Sequence, residues 1–154
     1  MESFDLVAMG GTFDVIHSGH MALLSKAFSI SSKVIIGLSS DQLAKKKGKN
    51  LVNDYSKRFS SLKSVIEKSF PNSAYEISKL ENDFGPAVIE GSVKALVVSE
   101  ETSDKGLRLN ELRAERNIPL VKIVVVPMVL AKDGKAISTT RIKNFEIDDS
   151  GNLN

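Results

Sequence analysis

Five apolar runs punctuate the chain, and the stretches between them repeat apolar residues at helical spacing. Four of the runs are nearly continuous and rich in β-branched residues: 4–9 (FDLVAM), 33–39 (KVIIGLS), 94–99 (KALVVS) and 120–126 (LVKIVVV). Such runs predict strands buried on both faces, as in a parallel sheet. A fifth run, AYEISKL at 74–80, alternates more and belongs nearer an edge. In GHMALLSKAFSI (19–30), helical spacing puts Met21, Leu24 and Phe28 on one face, with Leu23 and Ala27 beside them. DYSKRFSSLKSVIEKSF (54–70) does the same with Phe59, Leu62, Val65 and Ile66, with Asp54 as its cap and Pro71 beyond its end. SDKGLRLNELRAERN (103–117) predicts a third helix, polar on one side and ended before Pro119. Strands alternating with helices predict an α/β fold: a doubly wound, Rossmann-like, five-stranded parallel sheet with helices on both faces.

Composition narrows this picture only a little. A length of 154 residues suits one domain over 1–154, and the polar tail 148–154 (DDSGNLN) is expected to fray. There is no cysteine, which excludes disulfides and thiolate metal sites and suits a cytoplasmic protein. The longest apolar run, Ile123 to Ala131, contains Pro127 and falls far short of the roughly 20 residues a membrane span needs, so no membrane partner is expected. A net charge of +2 is too small to argue for nucleic acid, though it accommodates a small anion. The one concentrated charge run, AKKKGKN (44–50), reads as a loop.

In an open α/β sheet, ligands bind outside the carboxyl ends of the strands. Four chemically distinctive segments fall there: GGTFDVIHSGH (10–20), SSDQLAKKK (39–47), SEETSDKG (99–106) and ISTTRIKN (137–144). The first holds both histidines of the chain, His17 and His20. Gly10 and Gly11 can take backbone angles closed to other residues and let a ligand approach the main chain. Ser18 or Gly19 begins a helix whose free N–H groups favour an anion. Two imidazoles there can donate to phosphate oxygens, with charge when protonated, and Thr12 adds a hydroxyl. No Walker A sequence and no GxGxxG is present. A metal pair would want further ligands, and only Asp14 is near, better placed to brace the motif than to bind a cation. The residues by themselves therefore support an anion site at a helix start and no protein metal site.

GGTFDVIHSGH and ISTTRIKN together resemble the HxGH and ISSTxIR signatures of the nucleotidyltransferase superfamily. NDFGPA (82–87), VVSEET (97–102) and the spaced Gly106, Asn110 and Arg113 resemble the archaeal and eukaryotic type of phosphopantetheine adenylyltransferase, and DYSKR (54–58) is similar to that type's Tyr-x-x-Arg. The resemblance runs from about residue 4 to residue 145. It implies transfer of AMP from ATP to 4′-phosphopantetheine, with Mg²⁺ carried by ATP, and favours a monomer. By the same resemblance, Thr12 orients the attacking phosphate, and His17 and His20 contact the α-phosphate. Gly10, Gly11, Phe13 and Gly19 complete that binding set. Lys45 is expected to act in catalysis and Lys47 to bind substrate, leaving Lys46 and Lys49 to a solvated loop. Ser99 and Glu100 are expected near ribose or adenine, Gly106, Asn110 and Arg113 near the ATP phosphates, and Ser138, Thr139, Thr140 and Arg141 at the pyrophosphate end. Other transferases on the same scaffold share the two end motifs: cytidylyltransferases for alcohol phosphates, and nicotinamide mononucleotide or FMN adenylyltransferases. A doubly wound domain that binds ATP without chemistry is the remaining alternative.

Overall fold

The structure, a computed structural model, describes residues 3–85, 91–127 and 129. ISTTRIKN, with Ser138, Thr139, Thr140 and Arg141, and the polar tail lie outside the described residues. Strand β1 (Phe4–Gly11) leads to helix α1 (Ser18–Ser29), and β2 (Ser31–Ser39) to α2 (Asp41–Lys46) and α3 (Tyr55–Ser69). Then come β3 (Tyr75–Leu80), β4 (Ala95–Ser99), a 3₁₀ turn (Glu100–Thr102), α4 (Asp104–Glu115) and β5 (Lys122–Val126). The five strands are parallel, in the order β3-β2-β1-β4-β5.

The apolar runs form strands because each strand residue faces one helical layer or the other. In β1, Val7 and Met9 join Leu24 and Ala27 of α1 and Leu62 and Ile66 of α3 on one face. Between them Ala8 points to the opposite face, with Leu96, Val98 and Leu109 of α4. β3 lies at an edge, as its alternation predicts. β5 starts only at Lys122 and is the edge strand on the other side, so its residues are partly exposed; the sequence alone suggested a buried strand from residue 120.

Two local devices matter for the site. Asp54 caps α3 by accepting the Lys57 N–H at 2.9 Å, as expected. The run 44–50 does not form a loop throughout, because Ala44, Lys45 and Lys46 belong to α2. Ser40 caps that helix from the Leu43 N–H. Its far end closes with paired bonds, Gly48 N–H to Lys45 C=O and Lys49 N–H to Ala44 C=O, and Gly48 takes φ 78°. This is the glycine-terminated turn that satisfies a helix's last carbonyls and reverses the chain.

Candidate active site

Strand order reverses direction at β1 and β4, and the switch opens a cleft at the carboxyl ends of the strands. The cleft encloses about 800 Å³. The segment from Gly10 to His20 supplies one wall of it.

His17 is the cap of α1, and the two histidines hold each other in place. The Gly19 N–H donates to His17 Nδ1 at 3.0 Å, and the His17 N–H donates to His20 Nδ1 at 3.2 Å. This is a reciprocal capping box with imidazoles in the usual Ser and Glu roles. The rings stack at 3.9 Å between centroids, and Phe13 packs on His20 at 4.8 Å. Since each Nδ1 accepts a hydrogen bond, each ring carries its proton on Nε2. Burial first, and then His17, pushes the pKa of His20 down to about 3. His20 therefore donates as a neutral imidazole at physiological pH; the positive charge allowed by sequence is not available to it.

The glycines work differently from expectation. Gly10 and Gly11 end β1 in extended backbone, and the left-handed angle falls on Phe13, at φ 50°. A Cβ on Gly19 would meet His17 Cε1 at 2.8 Å, so this glycine makes room for the capping ring. Asp14 braces the loop: its carboxylate accepts the Val52 and Asn53 N–H groups, both at 2.9 Å, and Asn53 Nδ2 donates to the Asp14 carbonyl at 2.8 Å.

Arg58, which the sequence reading met only within DYSKR, anchors the loop from below. It is fully buried and donates to the carbonyls of Thr12 and Ser39, each at 2.8 Å, and to Asn53 at 3.2 Å. Its remaining end pairs with Asp41 Oδ1 at 2.7 Å, holding that carboxyl below the usual carboxylate range. The guanidinium also lies 5.7 Å from the Tyr55 ring centre, which accounts for the Tyr-x-x-Arg spacing. Arg58 thus ties the Thr12 loop to the start of α2. Its signal in the sequence is positional: Arg58, Leu62 and Ile66 share one buried stripe.

The structure sorts the remaining expected residues into two groups. Thr12, Phe13, His17, Lys47 and Ser99 line the cleft, as do Gly10, Gly11, Gly19 and His20. Lys45 is exposed on α2, away from the lining, whereas Lys49 turns in beside Lys47 because Gly48 reverses the chain. Glu100 is exposed outside the lining, and Thr102, whose Oγ1 lies 3.0 Å from Ser99 Oγ, stands inside it.

Gly106, Asn110 and Arg113 face away from the lining. Asn110 exchanges two bonds with the Val121 backbone, at 2.8 and 3.1 Å. Arg113 is buried and donates to Pro119 O at 2.8 Å and to Gly91 O at 3.4 Å. A Cβ on Gly106 would meet Ile123 at 2.6 Å. The three residues fasten α4 to the turn before β5, and burial lowers the pKa of the guanidinium. Two residues the sequence reading did not single out, Asp83 and Lys105, also line the cleft. Among the described residues no cluster of three or more His, Asp or Glu could hold a metal, and no helix is long and apolar enough to cross a membrane.

Residues 8–145 match the cytidylyltransferase-like family. The chain belongs to that family. It is 43% identical over 150 residues to the phosphopantetheine adenylyltransferase of Methanosarcina barkeri, with 96% of this chain and 91% of that one aligned. The phosphopantetheine adenylyltransferase of Methanopyrus kandleri is 37% identical over 146 residues, covering 95% of this chain and 92% of that one. Among solved structures, a protein of unknown function from Archaeoglobus fulgidus superposes with a TM-score of 0.72 at 30% identity, over 82% of this chain and 89% of that one. The family's scaffold is the doubly wound sheet described above, and the reciprocal histidine cap lies within the matched residues.

Proposed function

We propose that this chain transfers AMP from ATP to 4′-phosphopantetheine, forming dephospho-coenzyme A and releasing pyrophosphate. An oxygen of the acceptor phosphate attacks the α-phosphorus, and the bond from that phosphorus to the bridging oxygen of the β-phosphate breaks in line. The substrate supplies its own nucleophile, so the protein's work is alignment and stabilisation of developing charge. The observation that carries this reading is the histidine cap. With both Nδ1 atoms turned to the backbone, His17 and His20 are fixed as Nε2–H donors at a helix start, suited to the equatorial oxygens of a phosphorus under attack. Thr12, its carbonyl fixed by Arg58, orients the attacking phosphate.

Both oxygens of Asp14 already accept backbone N–H groups, which leaves Mg²⁺ to enter with ATP, held mainly by phosphates and water. The ion would neutralise charge on the departing pyrophosphate. Ser138, Thr139, Thr140 and Arg141 are assigned to that end by their motif. A cytoplasmic monomer acting on two small-molecule substrates is the setting this reading implies.

A substrate panel tests it. The purified chain is offered ATP or CTP with 4′-phosphopantetheine, nicotinamide mononucleotide, FMN or an alcohol phosphate, and pyrophosphate release is followed. Turnover should be fastest with ATP and 4′-phosphopantetheine, with dephospho-coenzyme A as product. Turnover with CTP and not ATP, or none with 4′-phosphopantetheine, would refute the assignment.

A further inference from the structure

Beyond the histidines, the cleft carries more positive charge than its own carboxylates neutralise. Lys47, Lys49 and Lys105 line it, against Asp14 and Asp83. Asp14 is held by the Val52 and Asn53 N–H groups, so among the described residues that line the cleft Asp83 is the carboxylate left to answer the three ammonium groups. Lys47, at the end of α2, forms an ion pair with Asp83, which follows β3. Lys105 reaches the same place from the first turn of α4, which follows β4. The two lysines thus come from the strand ends that flank β1, where the Thr12 loop begins.

We infer that Lys47 and Lys105 form a phosphate subsite in which Asp83 is an internal anion, displaced when a substrate phosphate arrives. The inference rests on the nucleotidyl-transfer reading above. Its chemistry is exchange: a phosphate brings more charge and more acceptor oxygens than one carboxylate and can bridge both ammonium groups. The side chains of Lys47 and Asp83 are 31% and 57% exposed, so water screens their attraction and the pair is easily exchanged. Burial, followed by the nearby Lys47, lowers the pKa of Lys105, and Asp83 offsets this only in part. An incoming anion relieves that like-charge contact. Lys105 is then a substrate-contacting residue that the sequence motifs do not mark.

The phosphate could belong to the acceptor or to ATP, and kinetics separates the two. K105A, K105R and D83N are compared with the unaltered enzyme by kcat and KM for ATP and for 4′-phosphopantetheine, together with calorimetric titration by inorganic pyrophosphate, which needs no turnover. K105A should raise the KM of one substrate about tenfold or more, the scale of a lost charge-assisted contact, while K105R retains most of the affinity. D83N should lower that same KM roughly two- to fivefold, as expected when a weak exposed pair is removed. A rise confined to 4′-phosphopantetheine assigns the subsite to the acceptor phosphate; a rise confined to ATP assigns it to the nucleotide. If K105A leaves both KM values and pyrophosphate affinity within twofold, or if D83N weakens binding, the inference is overturned. Absence of turnover by the unaltered enzyme counts against the reaction assignment instead, and the calorimetric comparison still decides the subsite.

Discussion

The start of α1 and the middle of α4 carry side chains of similar polarity, yet the two helices use them in opposite ways. At α1, each imidazole turns Nδ1 to the backbone, and both rings line the cleft. At α4, Asn110 and Arg113 direct their donors to the carbonyls of Val121, Pro119 and Gly91, away from the cleft. The lesson concerns direction more than residue type. Arg113 shares a buried stripe with Gly106 and Leu109, and Arg58 shares one with Leu62 and Ile66. An arginine on the apolar stripe of a helix that packs on a sheet bonds to carbonyls, because it is surrounded by backbone ends. The lysines at Gly48, which belong to no stripe, reach the cleft.

The largest effect expected from this contrast is at His17. Asparagine is a strong helix cap but lacks the second ring nitrogen, so His17→Asn should keep α1 while lowering kcat by roughly 10²–10³. A thermal melt within a few degrees of the unaltered protein, paired with that loss, sustains the comparison. Normal turnover would end it.

Arg113→Met should do the reverse. Leaving the Pro119 and Gly91 carbonyls without this donor costs about 2–4 kcal/mol by urea unfolding, with kcat/KM of the folded fraction within twofold. A tenfold rise in the KM for ATP at unchanged stability would return Arg113 to the nucleotide.

The smallest effect is on pH dependence. The folded-state pKa of His20 is lowered to about 3, so below the unfolded value of about 6.5 only the unfolded chain takes up this proton. Stability should therefore fall as pH drops through that window, by about 1 kcal/mol between pH 6.5 and 5 for this partly exposed ring. Replacing His20 should flatten the slope in denaturant melts. An unchanged slope would mean that the ring titrates normally and donates as a cation.

Much of the fold was legible because a parallel sheet buried on both faces needs continuous apolar runs, and these located four of the described strands, while the alternation at 74–80 marked the edge strand β3. Asp54 likewise announced its helix by cap chemistry. Helix α2 was not legible: six residues show no periodicity, and it exists because Ser40 and Gly48 satisfy its ends. For the same reason the choice among the lysines could not be read. The turn at Gly48 decides which ammonium groups enter the cleft, and the family resemblance had pointed to Lys45 and Lys47. Near the site, the loop from Gly10 to His20 was read correctly as a cleft segment, since a motif local in sequence is local in space. Asp83 and Lys105 meet from distant segments, so no short window could pair them.

The histidine cap has one more consequence. Ordinarily a binding residue and the residue that holds its rotamer are separate, and can drift apart one substitution at a time. In α1 they coincide: each imidazole fixes the helix start through Nδ1, and the same ring lines the cleft. A chain that gave up either histidine would have to find one side chain that both caps the helix and donates in the cleft; asparagine at position 17 meets only the first demand, so few single substitutions lead gradually away from this chemistry.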